Sequence, residues 1–172
     1  NGGSITTTGN QSYGEAVTLG ANTILAAGSG DVTLSSTVNG AYALTVNSTG
    51  TTTFGGAIGA GTALTSVTTN TGGTLVMNGG SITTTGAQSY GEAITLGADT
   101  TLSTGSADVT LSSTLNGAYA LTVNSTGTTT FGGAIGGGTA LTSVTTNTGG
   151  TLVMNGGSIT TTGNQSYGEA VT

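Results

Sequence analysis

The side chains in this sequence that could carry acid–base or metal chemistry are six carboxylates, and no Lys, Arg, His or Cys accompanies them. Five of the six recur in two settings. Glu15, Glu92 and Glu169 each follow Gln-Ser-Tyr-Gly, while Asp31 and Asp108 each precede Val-Thr-Leu. Two facing carboxyls can hydrolyse a glycosidic bond, and converging carboxylate oxygens can hold calcium. Both chemistries need the groups to meet. The Glu and the Asp occupy different positions of the chain's internal repeat, with no cation to tune either. The sequence therefore predicts solvated corner charges that discourage aggregation, not a catalytic pair or a metal centre. Without His or Cys there is no Ser-His triad, no thiol nucleophile and none of the usual zinc, copper or iron ligand sets. The expectation is a protein that is not an enzyme and has no catalytic residues, metal or cofactor.

A net charge of −6 without one basic side chain offers no grip on phosphate backbones or anionic membranes. Nucleic acid is excluded as an expected partner. No apolar run approaches the roughly 18 to 20 residues of a spanning helix, so no membrane insertion is expected within this stretch. No charged segment leads into an apolar one as a secretion signal would. The lack of cysteine is compatible with any redox compartment.

Three further features could bind a partner. Tyr42 and Tyr119 each stand two residues before an inward Leu, where neighbouring coils carry Thr23 and Thr62. That places them outward or at a corner, where an aromatic ring can stack on a sugar. They are the ligand-contact candidates, against the plainer reading of corner packing. Asn47-Ser48-Thr49, Asn124-Ser125-Thr126, Asn10-Gln11-Ser12 and Asn164-Gln165-Ser166 fit the glycosylation pattern, which this composition also generates by chance. Thr6 and Thr8 form a Thr-x-Thr pair of the kind that could order water on ice. The same face next carries Ile24 and Ala26, then Thr45 and Asn47, so that row is broken at once.

All of these sit within an array. Ser4 to Gly80 recur as Ser81 to Gly157, a spacing of 77 residues, and Ser158 to Thr172 repeat Ser4 to Thr18 without change. Residues 1–172 thus read as one continuous window on a longer array, with repeats 4–80 and 81–157 and a partial repeat 158–172. Each unit divides again into four pieces of 19 or 20 residues beginning at Ser4, Thr23, Tyr42 and Thr62. Segments such as Asp31–Leu34 and Ala43–Val46 alternate with period two, and Gly or Asn interrupts them every few residues. The pieces align Ile5, Leu25, Leu44 and Leu64 in one apolar column; Tyr13, Leu34, Phe54 and Leu75 in a second; and Val17, Val38 and Ile58 in a third, which breaks at Gly79.

Three columns on a period near 19 predict an all-β fold, a right-handed parallel β-helix or β-solenoid. Each coil would hold about 19 to 20 residues, and four coils would make one 77-residue repeat about 19 Å tall. The substitutions between copies agree: Val17 becomes Ile94 and Val38 becomes Leu115 in inward columns, while Ile24 becomes Thr101 and Ala26 becomes Ser103 beside them. Asn10 to Ala87, Asn22 to Asp99, Gly30 to Ala107 and Ala60 to Gly137 fall at corners. Ala27 to Thr104 puts a hydroxyl where alternation points inward. A string of β-sandwiches is the rival fold, and it gives no reason for a sub-period.

The run Thr51-Thr52-Thr53-Phe54-Gly55-Gly56-Ala57-Ile58, then Thr62 to Val67 and Ser81 to Tyr90, resembles the repeats of filamentous-haemagglutinin-like large exoproteins of Gram-negative bacteria. That resemblance implies a right-handed β-helical adhesin exported by two-partner secretion or an autotransporter route, extracellular or at the cell surface. On it rests the expected function: the stalk of an adhesin that projects a binding tip and contributes to adhesion or biofilm. The alternative is a self-associating filament or matrix subunit, with polysaccharide-binding and ice-binding solenoids behind it. Expected partners are neighbouring repeats of the same chain, like shafts, and host or bacterial surface glycans.

Overall fold

Short Thr- and Val-rich runs, each too brief to make a stable hairpin, gain their stability by stacking on the next turn of the chain. In the computed structural model, which describes residues 3–172, they form 22 strands in parallel sheets, with no helix among the described residues. The fold is the predicted β-solenoid, of about 8 turns.

Three faces run along it. The first stacks Ser4–Thr6, Thr23–Gly28, Ala43–Ser48, Ser66–Thr69, Gln88–Tyr90, Val109–Leu111, Thr128–Phe131, Thr151–Met154 and Ala170–Val171. The second begins with Gln11–Tyr13, Val32–Leu34 and Thr51–Phe54, and continues through Thr74–Met77, Ala93–Leu96 and Leu115–Asn116. The third pairs Val17–Thr18 with Val38–Asn39, passes through the single bridge residue Ile58, and runs on from Ser81–Thr83 to Gln165–Tyr167. Alternation sends one set of side chains from every face to a common axis. Leu34, Phe54, Met77, Ile58, Leu102 and Val123 are buried there with the rest of one continuous core.

The corners need backbone more than side chains. A Cβ on Gly79 would run into the Gly56 carbonyl of the coil below, and a Cβ on Gly59, whose φ is 73°, would strike the Thr83 carbonyl of the coil above. Consecutive coils stack there with no room for even a methyl group.

The coil is longer than the sequence predicts, about 21 residues rather than 19 or 20. Ile5 and Leu25 do share a ladder, but its next rungs are Val46 and Thr69, not Leu44 and Leu64. Leu44 belongs to the adjoining inward ladder with Thr23 and Val67, and Leu64 bridges to Thr84 at a corner. Tyr13, Leu34 and Phe54 keep their column, which continues to Met77 rather than Leu75. Val17, Val38 and Ile58 keep theirs, and it resumes at Ile82 beyond Gly79. The column slips first at Leu44, because the second turn takes 21 residues from Leu25 to Val46, and the wide corner Gly59–Thr65 then stretches the third to 23 from Val46 to Thr69.

The longer coil corrects the repeat as well. From Ser4–Thr6 on the first face, the chain takes eleven face-to-face steps to reach Ser81–Thr83 on the third. Seventy-seven residues therefore make three and two-thirds turns, seven residues to a face, and not four coils. Each copy is rotated by one face relative to the last. Val32–Leu34 lies on the second face and its copy Val109–Leu111 on the first; Ala43–Ser48 lies on the first and its copy Ala120–Ser125 on the third.

Candidate functional site

The densest polar chemistry lies inside the rod, on Gln88, Tyr90 and Glu92. Alternation along Gln88–Tyr90 turns the first two inward, Glu92 at the bend that follows turns its side chain the same way, and the three are 1%, 0% and 1% exposed. The Gln88 amide donates to the Ile82 carbonyl at 3.1 Å, to the Thr84 hydroxyl at 3.2 Å and to the Ser103 carbonyl at 3.1 Å. Its oxygen accepts from the Tyr90 hydroxyl at 2.9 Å. Every polar atom of that pair is thus satisfied, which is what makes a buried amide and phenol tolerable. Burial pushes the Tyr90 hydroxyl well above the ordinary tyrosine range.

Glu92 is less well provided. Its Oε1 accepts a long 3.4 Å hydrogen bond from Thr52, two coils below, while its Oε2 has no partner. The Thr69 hydroxyl, on the intervening coil, is also buried without one. Burial pushes the Glu92 carboxyl up to about 7, and the Thr52 hydroxyl offsets only part of that rise. The same set recurs one copy later. Glu169 Oε1 accepts from Thr129 at 3.0 Å, and Glu169 Oε2 and the Thr146 hydroxyl stand unpartnered. Glu169 is likewise raised by burial and held back in part by the Thr129 hydroxyl. Glu15, in the first described turn with no coil beneath it, is exposed.

The expectation of solvated corner charges thus fails for Glu92 and Glu169. The signal was present in the sequence: Tyr13 belongs to an inward column, and period two carries Gln11 and Glu15 inward with it. Asp31 and Asp108 do lie at corners, where each has a structural task. Their Oδ1 atoms accept from the amides of Thr51 and Thr128, one coil above, at 2.7 Å in both cases. Asn22 does the same for Ala43, Asn39 for Gly61 and Thr62, and Asn70 for Ser48. Amides that leave the sheet ladder at a turn are paired in this way. In the sequence these Asn residues mark only the breaks between strands, and their spacing does not reveal this role. No three acidic side chains converge as a metal site among the described residues.

Tyr42 and Tyr119 are each 39% exposed at corners. They stand at the starts of strands on different faces, the first and the third, so the two rings lie along different edges. Hydroxyl rows run up the outside. Thr45, Thr68, Ser89, Thr110 and Thr130 occupy successive rungs of the first face, after Ser4 and Ile24. The neighbouring outward ladder is Thr6, Ala26 and Asn47, so the hydroxyls form a single file there and not a flat double one.

Comparison of the chain with protein-family models, with curated proteins and with solved structures finds no match. What stands on the structure alone is a β-helical tandem-repeat protein.

Proposed function

We propose that the chain is a spacer: a segment of the shaft of an extracellular adhesin, which holds a binding tip away from a bacterial surface. One observation carries this reading. Two nearly identical units follow one another in a single unbroken stack, so an added unit lengthens the rod and creates no new kind of site. The sequence resemblance to filamentous-haemagglutinin-like exoproteins suggests the adhesin and the surface location. The absence of Lys and Arg suits an exposed setting, since it leaves trypsin-like proteases no cleavage point.

Arrays with increasing numbers of units test the proposal. Each unit should add about 18 Å to the rod, three and two-thirds turns at about 4.8 Å, as read by small-angle scattering or electron microscopy. Binding to cells and polysaccharide should stay at background for every array. Adhesion by the repeats alone, with avidity that climbs with their number, would overturn the spacer in favour of a self-associating or glycan-binding filament.

A further inference from the structure

Glu92 is 1% exposed, its Oε2 has no partner, and the chain holds no cation that could face it. A carboxylate can only accept hydrogen bonds, whereas a carboxylic acid has an O–H to give. A proton on Oε2 removes the buried charge and gives Oε2 an O–H to turn toward the Thr69 hydroxyl, while Oε1 goes on accepting from Thr52. The same arrangement recurs one copy later, where Glu169 Oε2 and the Thr146 hydroxyl are buried without partners and Oε1 accepts from Thr129. Leaving them as anions would bury a charge with no cation in the chain to pair with it.

We propose that each repeat Glu with two coils stacked beneath it, Glu92 and Glu169, occupies a proton-binding site inside the rod and is a neutral acid there. Its Oε2–H is donated to a Thr of the coil below, and its Oε1 accepts from a Thr two coils below. The proton ties three consecutive coils together, Thr52 to Thr69 to Glu92 and again Thr129 to Thr146 to Glu169, so the stack coheres best in acid. No other charge is placed to compete. The segments packed around Glu92 are 48–54 and 69–77 beneath it and 111–116 above it, and none contains an ionisable side chain. Tyr90, two residues before it, stays neutral. For Glu169 the corresponding segments, 125–131 and 146–152, are equally free, and Tyr167 is the neighbour. Asp31 and Asp108 bind the outward-turned amides of Thr51 and Thr128 at the corners.

The sign follows from linkage. The native carboxyl holds its proton more tightly than the unfolded one, so the stabilisation is complete below about 4.5. It is lost as pH rises from there through about 7, and is constant above. Across that window the unfolding equilibrium constant should rise by up to about 300-fold from Glu92, with a further contribution from Glu169.

Two measurements on the whole chain test this. Carbon-13 NMR of the glutamate carboxyls, with Glu15 as the exposed reference, should find the Glu92 signal still that of a neutral acid at pH 5.5, titrating with a midpoint near 7. Denaturant unfolding should show stability falling between pH 4.5 and 7.5. The fall should be reduced in E92Q and nearly absent in E92Q/E169Q, because a Gln amide can donate to Thr69 and accept from Thr52 at any pH. At pH 8 the E92Q chain should be the more stable one. A Glu92 midpoint in the ordinary carboxylate range would overturn the proposal, whether a buried water or a bound cation then pairs the oxygens. The NMR readout stands even if a variant fails to fold.

Discussion

Because the chain contains no cysteine, a pair of introduced cysteines can carry spin labels at two chosen sites and nowhere else. The rotation between copies then becomes a comparison of two distances. In T45C/T130C both labels project from the outward ladder of the first face, four rungs apart through Thr68, Ser89 and Thr110. Their backbones are separated by about 19 Å along the axis, four spacings of about 4.8 Å. In T45C/T122C the labels occupy the same position of two successive copies. If the unit were four coils, this second pair would be the one sharing a ladder.

In the observed fold, Thr122 is on the third face, paired with Thr101 and Thr145. Eleven face steps raise it about 18 Å, slightly less than the first pair. Seven residues at about 3.3 Å limit a face to roughly 20 Å, and labels pointing out from two faces are separated sideways by a similar amount. The resulting distance is about 27 Å, some 8 Å beyond the same-ladder pair although the rise is smaller. All three threonines are partly exposed on the outer surface, so labelling should leave the fold intact. Double electron–electron resonance resolves such a difference. A T45C/T122C distance equal to or shorter than that of T45C/T130C would refute the rotation by one face.

Two substitution pairs test the packing. F54A removes a ring that is 1% exposed between Leu34 and Met77, and should cost about 3 to 5 kcal/mol in urea unfolding. T53A, one residue away on the outside, should stay within about 0.5 kcal/mol, and comparable costs would mean that inside and outside are misassigned. G79A drives a methyl group into the Gly56 carbonyl and should lose about 2 kcal/mol or more, whereas G9A, with nothing within 4 Å of its Cβ position, should be near neutral. If the two glycines behaved alike, the close stacking of corners would be wrong.

What the sequence revealed and what it concealed follow from different physics. Strand alternation is local, so the inward placement of Leu25, Phe54 and Val38 was legible from period two alone. Leu75, Val76 and Met77 alternate in the same way: the two ends face in, at 0% and 2% exposed, and Val76 faces out. Coil length is set at the corners, where a loop can widen without changing any strand. Nothing in the residue types of Gly59–Thr65 announces that this corner is wider than Gly20–Asn22. The Ala27 to Thr104 exchange illustrates the same limit. Thr104 does point inward, at 1% exposed, and its hydroxyl is satisfied by the Ala107 carbonyl. That carbonyl belongs to the residue that replaces Gly30, so two changes that look unrelated in sequence meet at one corner.

The rotation between copies also bears on what a repeated surface can do. Eleven steps on a three-sided rod bring a residue back to its starting face only after three units, or eleven turns, about 53 Å along the axis. Tyr42 and Tyr119 already lie on different edges, and the next ring would fall on the last one. A flat partner lying along one side would meet the same group only once in every three units, so dense binding along a line is not what this arrangement favours. Mechanical features are distributed in the same way. The wide corner joins the third face to the first in one copy and the second to the third in the next, so any bend it causes is turned by a third of a circle each time. Three units sum such bends towards zero. A unit of four whole coils would place every wide corner on one edge and let the bends accumulate. A seven-residue face repeated eleven times therefore favours a straight rod with like sides, the geometry a spacer requires.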